Sequence, residues 1–134
     1  MKTEYPIHIW IEPTTQCNTQ CITCAHYFNS FGVDMPEELY VKIRNQALEN
    51  VQRIDFTGYG EALMTKIFFK MLDDCMGQGI LLSTTSNGIL LNDKNLEILF
   101  KADVEIILSV DGTNEEIYQS IRPKIKFVKI LKAL

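Results

Sequence analysis

Four times along the chain, a short run of strand-like residues gives way to a stretch with helical periodicity, and this alternation restricts the fold more than any other feature of the sequence. IHIWIE (residues 7–12) alternates apolar and polar side chains and predicts a strand. In the following DMPEELYVKIRNQALENV, Asp34 is placed to cap, Pro36 suits a first turn and Glu37 completes a capping box. Leu39, Ile43, Ala47 and Val51 then mark one apolar helix face. RIDFT (53–57) predicts a second strand with Ile54 and Phe56 on one side. A helix near 63–76 carries Ile67, Phe68, Met71, Leu72 and Cys75, and Gly77 and Gly79 end it. ILLST (80–84) predicts a third strand, TSNG (85–88) a turn, and Asn92 opens a helix that runs through Phe100. VEIILSV (104–110) is apolar enough to predict a fourth strand buried on both faces. Thr113 and Glu116 form another capping-box pattern, Pro123 interrupts the helix after Arg122, and a last amphipathic segment carries Phe127, Ile130, Leu131 and Leu134.

Strand–helix alternation of this kind calls for an α/β fold with a parallel sheet, because parallel neighbours need a crossover and the helices supply it. In such sheets the chemistry gathers at the C-terminal ends of the strands. The distinctive polar and glycine-rich stretches all fall there: a cysteine loop after the first strand, GYGE (58–61) after the second, TSNG after the third and SVDG (109–112) at the end of the fourth. Each has a plain structural explanation beside a functional one. GYGE also suits a strand-to-helix turn, TSNG an Asn-Gly turn, and Arg122 a solvated cation at a helix end.

The cysteine loop, CNTQCITC (17–24), resists a plain explanation. Cys17, Cys21 and Cys24 fall within eight residues, and the fourth cysteine, Cys75, lies far away on an apolar helix face where a thiol packs as a small hydrophobe. Structural zinc takes four ligands, commonly as two separated pairs; His26 is within conceivable reach as a fourth, but the chain offers no second pair. A cubane iron–sulfur cluster held by three thiolates keeps one iron with an open position, which is the mark of a catalytic rather than a structural metal. Tyr27 and Phe28, just beyond, are placed either to shield such a cluster or to pack on the sheet.

The remaining bounds are broad. The 134 residues suit one domain, and 46% hydrophobic with 22% charged residues is the composition of an ordinary globular protein. A net charge of −4 gives no basic surface for nucleic acid or an anionic membrane. The first residues, MKTEYPIHIW, lack the apolar run of a signal peptide, and no stretch approaches the roughly 20 apolar residues of a bilayer span. The expected compartment is the cytoplasm, where thiols stay reduced.

The spacing Cys17-x3-Cys21-x2-Cys24 after a first strand, led in by IEPTTQCN, resembles the signature of the radical S-adenosylmethionine (radical SAM) superfamily. Gly58-Tyr59-Gly60-Glu61 resembles that family's Gly-Gly-Glu motif, Thr85-Ser86-Asn87-Gly88 the segment after its third strand, and Ser109-Val110-Asp111-Gly112 with IYQSIR its fourth strand and following helix. The last form is similar to that of members with a SPASM extension, many of which modify peptides or proteins. The resemblance covers residues 7 to 134 and implies a (β/α)6 partial TIM-like barrel. It further implies a [4Fe–4S] cluster on Cys17, Cys21 and Cys24, with S-adenosylmethionine chelating the fourth iron. Reductive cleavage of that molecule would yield a 5′-deoxyadenosyl radical for hydrogen abstraction, on a peptide or protein substrate. The implied cofactor-binding residues are Gly58, Tyr59, Gly60, Glu61, Ser86, Asn87, Ser109, Asp111 and Arg122. Gly58 and Gly60 would let backbone approach the methionine end, Ser109 would bond the carboxylate or ribose, Asp111 would bind ribose or form the turn before the helix, and Arg122 would pair with the carboxylate. A reductant such as a flavodoxin or ferredoxin is the implied electron donor.

Two departures from the family pattern stand out. Thr23 precedes Cys24 where many members carry an aromatic residue. The chain also holds four βα units of the family's six, so residues 1–134 are expected to form a single, incomplete core domain without the fifth strand, the sixth strand or a SPASM region. Three explanations compete: a truncated product, one half of a split enzyme completed by a second chain, and a short homologue that dimerises over the open sheet edge beside VEIILSV. A cluster-binding remnant without catalysis and a zinc-binding structural domain are the rival functions, separated by iron and sulfide content and by S-adenosylmethionine cleavage.

Overall fold

The computed structural model describes residues 6–28 and 32–132. Four parallel strands form one sheet in the order β1 (His8–Ile11), β2 (Arg53–Phe56), β3 (Leu81–Ser86), β4 (Val104–Leu108). Between and after them come α1 (Glu37–Ala47), α2 (Lys66–Cys75), α3 (Asp93–Lys101), α4 (Glu115–Ile121) and α5 (Phe127–Leu131). The fold is therefore the expected α/β alternation, with each strand paired to the next in sequence. Among the described residues no helix is long and apolar enough to cross a membrane.

The two faces of the sheet differ, and strand periodicity assigns them. Ile54, Phe56, Leu82 and Val104 point to the helix layer and are buried with Phe68, Met71, Leu72 and Leu99 in the main core. The alternate residues form a second, largely polar face. Across it Arg53 donates to Asp55 (2.8 Å) and Glu105 (3.0 Å), His8 bonds Asp55 (2.7 Å), and the Ser83 hydroxyl donates to the same Asp55 carboxylate. The row therefore ties all four strands together by side chains as well as by the ladder. This face corrects the expectation that β4 is buried on both sides. Val104 is buried, but Glu105 is exposed and Ile107 is 47% exposed, because no helix covers that side of an edge strand.

Several local expectations shift by a residue. Asp34 does not cap α1: Pro36 occupies that position without a side-chain hydrogen bond, while the Asp34 carboxylate accepts from Thr14 Oγ1 (2.6 Å) and Gln16 Nε2 (3.0 Å). It fastens the start of the cysteine loop instead. The buried stripe of α1 runs through Tyr40, and Leu39 is exposed. Asn114, not Thr113, caps α4, accepting from the Ile117 amide (2.9 Å). Thr85 and Ser86 belong to β3 rather than to a turn, which starts at Asn87 and uses Gly88 at φ +83°. The predicted caps and stops at Asn92, Gly77 and Gly79 hold, and Cys75 is buried in the core, where desolvation pushes its thiol up to about 11. On α5, Ile130 is buried and Leu131 exposed; Leu134 lies outside the described residues.

Candidate cofactor cleft

The cleft lies at the C-terminal ends of the strands. β1 delivers the chain into a loop that is fixed before it reaches its first cysteine. Thr15 N–H donates to Val33 O (2.8 Å), Met35 N–H to Pro13 O (2.8 Å), and Glu61 N–H to Gln16 O (2.8 Å). Cys17, Cys21 and Cys24 are free thiols that line one cleft, Cys21 buried and the other two partly open. Thr19 stands between the first two, its hydroxyl 3.2 Å from Cys17 Sγ and 3.5 Å from Cys21 Sγ. Cys24 caps a single 3-10 turn (Ala25–Tyr27), its sulfur accepting from the His26 amide (3.4 Å). His26 lines the same cleft and is anchored by its Nε2 to Thr15 O (3.1 Å). Among the described residues no three His, Cys, Asp or Glu side chains converge tightly enough to hold one metal ion.

GYGE forms the opposite lip. A β-carbon on Gly60 would come within 2.0 Å of Thr14 O and 2.8 Å of Gln16 O, so only glycine lets this strand end lie against the cysteine loop. A β-carbon on Gly58 would strike the Glu12 carboxylate, which lies across the turn and accepts from the amides of Tyr59 (2.5 Å) and Gly60 (3.3 Å). The two glycines thus serve contacts within the chain itself. Glu61 is buried and braces the rim, accepting from Ser86 Oγ (2.8 Å) and from the Asn87 amide (2.8 Å). Burial pushes its carboxyl above the ordinary range, and the bonds from Asn87, Ser86 and Leu63 together with the nearby Arg122 charge only partly offset that.

The third and fourth strands close the cleft. The Asn87 side chain reaches back to the cysteine loop, donating to Asn18 Oδ1 (2.7 Å) with Cys17 Sγ at 3.9 Å. Ser109 lines the cleft, and its amide bonds Ser86 O (2.9 Å). Arg122 lines it from the end of α4 with its side chain mostly buried. Asp111 does not line it; this partly exposed carboxylate lies behind Arg122 and accepts from its Nε. Of the sequence-predicted residues, the three cysteines, Gly58 to Glu61, Ser86, Asn87, Ser109 and Arg122 are brought together, and Asp111 stands one step back. Glu12, Asn18, Thr19 and Thr85 were not singled out by sequence. Glu12 and Thr85 carried a signal in strand periodicity, since each continues the open face of its strand, whereas nothing local marks Asn18 or Thr19.

The class of protein defined so far is a parallel α/β sheet that gathers three thiols and a glycine-bearing lip in one cleft on its C-terminal rim. The family model described as the Radical SAM superfamily matches residues 11–134, and the chain belongs to that superfamily. Members use a [4Fe–4S] cluster. The chain is 25% identical over 134 residues to the mycofactocin maturase MftC of Mycolicibacterium smegmatis, covering 96% of this chain and 33% of that protein. It is 31% identical over 134 residues to a probable GTP 3′,8-cyclase of Methanosarcina acetivorans, covering 92% of this chain and 39% of that one. The fold matches Streptococcus suis SuiB bound to S-adenosylmethionine with a TM-score of 0.80 at 21% identity, over 96% of this chain and 30% of that one. SuiB bound to its precursor peptide SuiA matches with a TM-score of 0.74 at 19% identity, over 96% and 29%. The chain spans about a third of the length of the curated relatives it matches. Its sheet and helices have the architecture of a partial radical SAM barrel.

Proposed function

We propose that this chain is a radical SAM core that binds a [4Fe–4S] cluster through Cys17, Cys21 and Cys24 and cleaves S-adenosylmethionine reductively for hydrogen abstraction. The observation that carries the reading is the meeting of three free thiols, the GYGE lip and the Arg122 side chain in one cleft of a superfamily member. The donor set fits the group: three thiolates are the ligands such clusters take, and all three cysteines line one cleft. When bound, the cluster supplies the electron that breaks the S–C5′ bond, giving methionine and a 5′-deoxyadenosyl radical that takes hydrogen from the substrate.

The chain's own residues bind and orient. The carbonyls of the Gly58–Gly60 turn accept from the methionine ammonium, while Glu12 occupies that turn's amides and so fixes which groups face the cleft. Arg122, held by Asp111, presents its remaining guanidinium hydrogens to the carboxylate. Ser109 and Asn87 offer short polar contacts beside it, and Glu61 holds the rims of β2 and β3 at fixed spacing. A peptide is the proposed substrate, supported by the likeness in fold to a SuiB structure holding a precursor peptide and to an anSMEcpe structure holding a peptide. A flavodoxin or ferredoxin is the proposed electron donor. A complementing chain or a second copy is the proposed cover for the open edge at β4.

The test is anaerobic reconstitution with iron and sulfide, followed by electron paramagnetic resonance of the reduced protein with and without S-adenosylmethionine, and by assay of 5′-deoxyadenosine. Near-equal iron and sulfide, a cubane signal that changes on adding S-adenosylmethionine, and nucleoside release are expected, with all three lost in Cys21→Ala. A signal indifferent to S-adenosylmethionine sinks the catalytic reading and leaves a cluster-binding module. Zinc in place of iron sinks both.

A further inference from the structure

Thr19 is buried between the first two cysteines of the loop and lines the same cleft as all three. Its hydroxyl lies 3.2 Å from Cys17 Sγ and 3.5 Å from Cys21 Sγ, both within hydrogen-bond reach of sulfur, and among the described residues it has no other partner. Valine has the same shape and would fill that volume without a polar atom to satisfy. In the free chain either a thiol or the hydroxyl is the donor. Binding to iron removes the ambiguity. Cysteine ligates as a thiolate, so both thiol hydrogens leave, and of the three atoms only the Thr19 oxygen still carries one. A hydroxyl facing two anionic sulfurs donates to one of them, and Cys17 is the nearer. The other contacts to the cysteine sulfurs differ in kind. Cys24 accepts from the His26 backbone amide (3.4 Å), a donor that does not depend on the side chain at that position. Asn87 Nδ2 stands 3.9 Å from Cys17 Sγ and gives its short bond to Asn18 Oδ1 (2.7 Å). Thr19 is the close side-chain donor.

We infer that the Thr19 hydroxyl donates a hydrogen bond to a thiolate of the bound iron–sulfur cluster, that of Cys17 at the shorter distance, and thereby raises the potential at which the cluster takes up its electron. The inference rests on the proposed function above. Reduction adds negative charge to the cluster and its sulfurs, so a donor aimed at a ligand sulfur stabilises the reduced form more than the oxidised one. Thr19 acts through the cysteine it bonds and is in this role a positioning residue, neither a metal ligand nor a catalytic residue.

The experiment is a redox titration of the anaerobically reconstituted full chain, read by paramagnetic resonance of the reduced cluster, in the wild type, Thr19→Val, Thr19→Ala and Thr19→Ser. Losing the hydroxyl in Thr19→Val and Thr19→Ala is expected to lower the reduced-to-oxidised ratio at a fixed potential by up to about tenfold, equivalent to 59 mV for one electron. Thr19→Ser keeps the hydroxyl and loses the methyl, and is expected to return the ratio to near the wild-type value. By electron–nuclear double resonance, an exchangeable-proton coupling present in the wild type and in Thr19→Ser should be missing from both hydroxyl-free variants. Equal potentials in all four proteins at full cluster content overturn the inference. So does a shift in Thr19→Ser as large as that in Thr19→Val, which traces the effect to packing rather than to the hydroxyl. Failure of both hydroxyl-free variants to load overturns it as well, because the hydroxyl is then needed to assemble the site rather than to set its potential. A wild-type chain that takes up no cluster overturns the proposed function, and the donor assignment falls with it.

Discussion

Glu61 and Asp55 are carboxylates on the same strand and its continuation, and their surroundings drive them in opposite directions. Burial raises Glu61, and its hydrogen bonds do not fully compensate. The folded chain therefore holds that proton more tightly than the unfolded chain, so the stabilisation is fully present below the ordinary carboxylate range and is lost as pH rises through the raised value. For Asp55, burial also acts upward, but the bonds from Ser83, His8 and Arg53 outweigh it and its carboxyl is lowered. Its stabilisation is present above the ordinary value and is lost as pH falls through the lowered one. Urea unfolding across pH should show Glu61→Gln removing a decline on the neutral side and Asp55→Asn removing a loss on the acid side; identical profiles for either variant and the wild type would contradict the assignment. The glycines make a sharper pair. Gly60→Ala forces a methyl into the Thr14 and Gln16 carbonyls and should cost about 1–3 kcal/mol or more, whereas Gly32→Ala meets nothing and should stay within about 0.5 kcal/mol by thermal unfolding.

At the scale of elements, the order and kind of every strand and of the helices between them were legible because periodicity is a local property. The helix faces and caps were less so. In α1 two stripes compete, one through Leu39 and Ile43 and one through Tyr40 and Leu48, and spacing alone does not choose. The fold chooses Tyr40, because its hydroxyl reaches Asp74 on α2 (3.0 Å) while its ring enters the core, an amphipathic use that counting apolar residues overlooks. Tyr40→Ala is accordingly expected to cost about 3–5 kcal/mol and Leu39→Ala within about 0.5 kcal/mol. The cap of α4 teaches the same lesson, since Thr113 and Asn114 are both capping residues and only backbone geometry separates them. Asn114→Ala should lose about 1 kcal/mol and Thr113→Ala almost nothing in chemical denaturation; the reverse order would move the helix start by one residue. The cleft itself was legible as motifs on one rim. The residues that brace it, Glu12, Asn18 and Thr19, were not, because they act through contacts between segments up to 69 residues apart or through a geometry that only the folded loop creates.

For the whole molecule, the deciding feature is a parallel sheet covered by helices on one face only. Parallel sheets are normally covered on both, and curling such a sheet into a barrel turns its open face into an interior. The mixed character of that face fits an interior of this kind: the Arg53–Asp55 network is satisfied by the chain itself, whereas Trp10 is 64% exposed and Ile107 is half-exposed. The sheet also ends in two edge strands, β1 and β4, each paired on its inner side only, and an apolar edge strand is a template for another chain. β4 is the longer of the two edges, five residues against four, and its VEIIL carries a single charge. Sedimentation velocity over a concentration series should therefore show the isolated chain associating reversibly. Ile107→Lys, which places a charge on that edge, should shift the association to higher concentration by about tenfold, while Trp10→Lys on the opposite edge should shift it little. If the two variants exchange effects, association runs through β1. If the wild type sediments as a monomer throughout, β4 is already protected by its own twist and by Glu105, and the open edge needs neither a second copy nor a complementing chain to remain soluble.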